Sequence, residues 1–204
     1  LLQSTVGFRP AYNATGWNSA KPVVSFDGTT KFMTCTTGAA PTSINGTDHA
    51  WTIAATVRFA ANDVAVIGWD HTGTSAYTTL GTNGAGRTRI FRRDTAGNVA
   101  TYVGSAVLGT SASSRHRLVA TYDGTSVRIY VDGVLDATIA KSAPTTGSAS
   151  IGAMTFNRIM FSSLTGSAFM NGEVAGAFLG TSAWSAAQVT RDYTYQKATM
   201  GGLP

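Results

Sequence analysis

The chain has 204 residues, 43% of them hydrophobic and only 12% charged, with 23 glycines spread among many Thr, Ser and Ala. This composition suits one all-β domain with polar, weakly charged strand faces and disfavours a helical bundle. A net charge of +5 rests on scattered Arg and Lys, which argues against a nucleic-acid partner but leaves an anionic one open; no apolar run approaches the ~20 residues of a membrane span, and the single Cys35 excludes an internal disulfide.

Residues Leu1 to Lys21 contain Gly, Pro and Asn without a sustained period and read as an irregular N-terminal arm, leaving 22–204 as the folded domain. The opening LLQSTVGF lacks the regions of a signal peptide and the chain begins without Met, as expected of a processed product or an excised piece. Asn13-Ala14-Thr15 and Asn45-Gly46-Thr47 fit the glycosylation triplet, a frequent coincidence in a Thr-rich chain. The segment PVVSFDGTTKFMT predicts a hairpin, with strands Val23 to Phe26 and Lys31 to Thr36 about the Asp27-Gly28 turn. Trp51 to Phe59 alternates as a half-buried strand should, and further strands are expected at Val64 to Trp69, Tyr77 to Gly81, Arg87 to Arg93 and Asn98 to Val103. One strand per roughly 8 to 12 residues is the signature of a sandwich or barrel.

Arg117 to Ala140, RLVATYDGTSVRIYVDGVLDATIA, is the most informative stretch. Asp132-Gly133 supplies the two positive-φ residues of a tight type I′ hairpin, and Asp123-Gly124-Thr125-Ser126 gives a longer turn one strand earlier, so the run is a β-meander. Ser150 to Ile159 reads as a strand returning to the first sheet, and Asn171-Gly172 as a turn opening the strand Glu173 to Leu179. Ser185-Ala186-Ala187-Gln188 is a capping box, predicting a helix to about Ala198 with Val189, Tyr193, Gln196 and Met200 near one face.

The two turns of the meander, SFDG at Ser25 to Gly28 and the ending NGEVAGAFLGTSAWSAAQV resemble the laminin-G-like domains of the concanavalin A-like lectin/glucanase superfamily. The resemblance implies an all-β, two-sheet antiparallel jelly-roll sandwich with one short C-terminal helix. It implies nothing catalytic. Many such domains bind calcium through Asp carboxylates and loop carbonyls, which makes calcium the metal to look for, yet Asp27, Asp123 and Asp132 all precede glycine and are explained by their turns.

Glycosidases of the superfamily need two carboxylates about 5 Å apart, whereas Glu173 is the only glutamate here and no two Asp sit at i, i+2 on one strand. His49, His71 and His116 lack zinc spacing, Asp70-His71 has no Gly-x-Ser-x-Gly elbow to complete a triad, and Gly81 to Gly86 lacks the Lys and following helix of a phosphate loop. Two features point to recognition. Trp69-Asp70-His71, leading through a Thr/Gly/Ser loop to Tyr77, joins aromatic faces to short hydrogen-bonding groups as sugar binding requires, although Trp69 also suits a sandwich interior. Arg87, Arg89 and Arg93 alternate along one strand and are placed to grip carboxylate or sulfate groups, or simply to solvate an outer face.

The sequence therefore predicts a non-catalytic recognition or adhesion module, binding a glycan or cell-surface partner from a bacterial surface or phage virion. The alternatives are a structural virion or surface-assembly protein that contacts neighbouring subunits through its arm, and, less favoured, a polysaccharide-cleaving enzyme. The expected localisation is extracellular or on a virion surface.

Overall fold

In a computed structural model, all residues are described except 1–6, 8, 18–20, 36–48, 72–75, 112, 155, 163–167 and 201. Among the described residues, fourteen strands and one helix follow in chain order: β1 Ala11–Trp17, β2 Lys21–Asp27, β3 Met33–Cys35, β4 Trp51–Phe59, β5 Ala65–Asp70, β6 Tyr77–Thr82, β7 Arg87–Arg93, β8 Val99–Val107, β9 Arg115–Tyr122, β10 Ser126–Val131, β11 Val134–Ala140, β12 Thr146–Gly147, β13 Arg158–Phe161, β14 Asn171–Gly180 and α1 Ala186–Met200. They form two seven-stranded sheets, sheet A in the order β1-β2-β14-β4-β9-β10-β11 and sheet B in the order β12-β8-β7-β6-β5-β13-β3, with antiparallel pairing throughout.

The core lies between the sheets. Ile53, Val57 and Phe59 of β4 and Leu118, Ala120 and Tyr122 of β9 face Ile67 and Trp69 of β5, Leu80 of β6, Ile90 of β7 and Tyr102 of β8. Alternation along each strand sends the intervening residues outward, so the packing that closes the sandwich also decides which side chains reach solvent.

The meander forms as its turns dictate. Asp132 and Gly133 adopt φ of 52° and 81°, with Val131 paired to Val134 across them. The Asp123 carboxylate accepts from the backbone N–H of Thr125 and Ser126 at 2.9 Å. The capping box is also present, with Ser185 N–H donating to Gln188 Oε1 at 2.8 Å and Gln188 N–H donating to Ser185 Oγ at 3.3 Å.

Elsewhere the structure differs from the sequence reading. The segment expected to be an irregular arm carries β1, which pairs with β2, and its Trp17 is fully buried. The arm lacks hydrophobic periodicity because one aromatic, not a repeating face, anchors it. The segments flanking Asp27 do not form a hairpin. Its Oδ1 accepts from Thr29, Thr30 and Lys31 N–H, and the chain then crosses to sheet B, where β3 pairs with β13. Those backbone donors, led by Thr30, outweigh the opposing effect of desolvation and hold the Asp27 carboxyl well below its ordinary range.

The strand expected over Ser150–Ile159 is confined to Arg158–Phe161 and pairs with β5 and β3. Asn171-Gly172 is not a turn but the first pair of residues of β14, between β2 and β4; a Cβ at Gly172 would lie 2.0 Å from the Arg58 carbonyl, so the glycine serves close strand approach. The strand β4 is buried on both faces rather than one, because α1 lies over the outer face of sheet A and packs Val189 against Ala54, Val119 and Tyr130.

Candidate functional site

Sheet A is closed on its outside by more than the helix. Arg117, 2% exposed, donates through Nε to Asp192 of α1 at 2.7 Å, through Nη2 to the same carboxylate at 3.1 Å and through Nη1 to Thr56 at 3.1 Å. Glu173 accepts from Trp17 Nε1 at 2.6 Å and from Arg58 Nε at 2.9 Å. The Arg58 hydrogen bond, then that of Trp17, holds its carboxyl below the usual range, so the chain's only glutamate is an ion-paired structural group rather than a poised acid.

Sheet B presents a different outer face. Register places Tyr77 opposite Arg93 and Thr79 opposite Phe91, which in turn faces Thr101 of β8. The partly exposed rings of Tyr77 and Phe91 stack with centroids 5.3 Å apart and 19° between planes. The Arg89 guanidinium lies 5.8 Å from the Phe91 ring centre and pairs with Asp63 at 3.0 Å. Burial pushes the Tyr77 phenol's pKa up, and the neighbouring Arg93 guanidinium partly offsets the shift. Arg93 Nε is buried without a hydrogen-bond partner, and Arg87 is exposed at the start of the strand. Chemically, this is a flat π surface bordered by guanidinium groups.

The structure thus brings together Tyr77, Arg87, Arg89 and Arg93 of the expected residues, sends Trp69 to the other face, and places Asp70 opposite Tyr77 but with its carboxylate already taken. Trp69, 1% exposed, points into the core against Trp51 and Phe156 and offers no ligand a face. The Asp70 carboxylate is buried and taken by Arg158, Nε to Oδ1 at 2.7 Å and Nη2 to Oδ2. His71 is partly exposed at the strand's end, its N–H bonded to the Ala76 carbonyl, and the loop between His71 and Ala76 lies outside the described residues, as does the Asn45 triplet. Phe91 was missed because a phenylalanine beside Ile90 reads as core; its i, i+2 relation to Arg89 and Arg93 was the available signal. Arg92, on the opposite parity, enters the core and lies 4.7 Å from the Tyr122 ring centre and 5.9 Å from that of Trp51.

Among the described residues no group of three or more His, Cys, Asp or Glu is placed to hold a metal. Asp27 and Asp123 serve their turns, and Asp132 accepts from Arg117 N–H while bonding His116 Nδ1 at 2.8 Å. Cys35 is partly buried and unpaired. No helix among the described residues is long and apolar enough to cross a membrane.

No protein-family model and no curated protein matches the chain. Solved structures do. The binding domain of botulinum neurotoxin serotype G superposes with a TM-score of 0.65 at 12% identity, covering 96% of this chain and 48% of that one, so the chain spans about half its length. Domain 4 of AbnA, a GH43 extracellular arabinanase from Geobacillus stearothermophilus solved with arabinotriose, gives 0.62 at 12% identity and covers 89% and 80%. The heptameric SAP-like pentraxin from Limulus polyphemus gives 0.58 at 10% identity and covers 82% and 79%. The fold is a two-sheet antiparallel jelly-roll sandwich with one short C-terminal helix.

Proposed function

We propose that this chain is a non-catalytic recognition module that binds an acidic glycan across the outer face of sheet B. The observation that carries the reading is the stacked Tyr77–Phe91 pair flanked by Arg89 and Arg93. A sugar ring presents an apolar face to such a platform, and its carboxylate or sulfate meets planar guanidinium donors at the border. Four arginines, Arg87, Arg89, Arg93 and Arg158, against Asp63 and Asp70 leave the face net positive, which favours an anionic chain over a neutral one.

Similarity to a toxin's binding domain and to an arabinanase domain solved with arabinotriose supports recognition over catalysis, as does the ion-paired state of the only glutamate. The laminin-G-like character of the meander and a bacterial-surface or virion setting belong to the same proposal. A glycan array carrying uronic-acid, sulfated and neutral oligosaccharides tests it. Retention by acidic glycans, lost in Phe91→Ala, is the expected result; no retention by any glycan would favour the alternative of a subunit that serves assembly.

A further inference from the structure

We infer that the outer side of α1 holds a second, independent ligand site, for a sugar that carries one carboxylate, a uronic acid. It is built on different elements from the sheet B face and does not rest on that reading. A shallow, open depression of about 430 Å³ is lined by Trp184, Gln188, Arg191, Asp192 and Tyr195. Gln188, Arg191, Asp192 and Tyr195 recur at helical spacing and so share one face of α1, with Trp184 just ahead of its cap.

Much of this wall is held in place. Trp184 N–H donates to Thr52 Oγ1 at 2.9 Å, and its ring packs on Phe178 with centroids 4.5 Å apart. Asp192 is fixed by the buried Arg117. Trp184 and Tyr195, the latter 63% exposed, offer apolar ring surface of the kind sugars stack on, and Gln188 adds an amide whose Oε1 is already used by the helix cap.

Charge then narrows the ligand. Both carboxylate oxygens of Asp192 are bonded to Arg117, which neutralises it, whereas Arg191 has no ion-pair partner among the described residues. The depression therefore presents one uncompensated cation, a planar guanidinium suited to bidentate contact with one carboxylate.

Saturation-transfer NMR on the full chain, with D-glucuronic acid and D-glucose as probes, tests the site in a Phe91→Ala background, which removes the sheet B platform, alone and combined with Arg191→Ala or Tyr195→Ala. Both helix positions are exposed, so the melting temperature should hold. Glucuronate is expected to bind Phe91→Ala, to weaken about tenfold or more when either helix position is also replaced, and to exceed glucose by a similar factor. No binding of glucuronate to Phe91→Ala, glucose binding as tightly, or affinity unchanged by the helix substitutions would overturn the inference. Glucuronate binding to wild type but not to Phe91→Ala would do the same while leaving the sheet B reading intact.

Discussion

On the outer face of sheet A the carboxylates are paired within the protein, Asp192 to Arg117 and Glu173 to Arg58 and Trp17, with α1 laid over Ala54 and Val119, although Thr121 Oγ1 is buried there without a hydrogen-bond partner. On the outer face of sheet B a stacked aromatic pair and three arginines sit in an open row, and Arg93 keeps a buried N–H without a partner. Both faces use Arg on strands, so composition does not separate them. What lies over each guanidinium does. An arginine bonded beneath a helix holds a cover in place, whereas one beside partly exposed π surface is suited to a ligand from outside.

Breaking the covered face should give the largest effect. Arg117→Ala leaves Asp192 and Thr56 without their donor beneath α1, and we expect a loss of about 3 kcal/mol, as for removing one partner of a buried pair. Urea denaturation checks it, with a loss of helical signal in parallel. An unchanged midpoint would mean that α1 is held by Val189 and its apolar neighbours alone.

Gly133→Val should follow. Position 133 has φ of 81°, and a Cβ there would approach the Tyr193 ring at 2.8 Å, so the substitution combines strain with a clash at the joint between meander and helix, about 2 kcal/mol. Thermal melting reads it. A variant as stable as wild type would show that the turn tolerates another geometry.

Glu173→Gln should cost less, about 1 kcal/mol near neutral pH, and its signature is pH dependence. Because Arg58 and Trp17 lower the folded-state pKa beneath the ordinary value of 4.5, the carboxylate's stabilisation is fully present above about 4.5 and lost as pH falls through the folded value. The gap in midpoint between wild type and variant should narrow below that pH. A constant gap would locate the effect in packing, and loss of a sugar-releasing activity in the variant would reverse the non-catalytic reading.

Turns and caps were the most legible parts of this sequence because their signals are local: Asp132-Gly133, Asp123-Gly124 and Ser185 to Gln188 each form from neighbouring residues alone. Sheet membership was not legible. Nothing near Asp27 reveals that Met33 will pair with Phe161, and nothing in β1 reveals that Trp17 will meet Glu173, 156 residues away. The candidate site was half legible for the same reason. Alternation fixed the shared face of Arg87, Arg89 and Arg93, but Trp69 and Tyr77 lie on opposite faces of sheet B because their strands pair out of phase: Trp69 is opposite Thr78, not Tyr77. Adjacency in sequence suggested a shared surface that cross-strand register denies.

The central claim is that sheet B's exposed face, and not its covered counterpart, receives an acidic glycan. Titration calorimetry of an oligogalacturonate in an Arg191→Ala background, which silences the helix site, tests it most directly by comparing an otherwise wild-type protein with Phe91→Ala and the Arg89→Ala, Arg93→Ala double variant at low and physiological salt. Affinity should fall with salt in the otherwise wild-type protein, since contacts at this exposed face are screened over about 8 Å. It should drop about tenfold in Phe91→Ala, as loss of a stacking face implies. The double variant should lose both affinity and salt dependence while keeping its melting temperature. Binding that is independent of salt and equal in all three proteins would contradict the account.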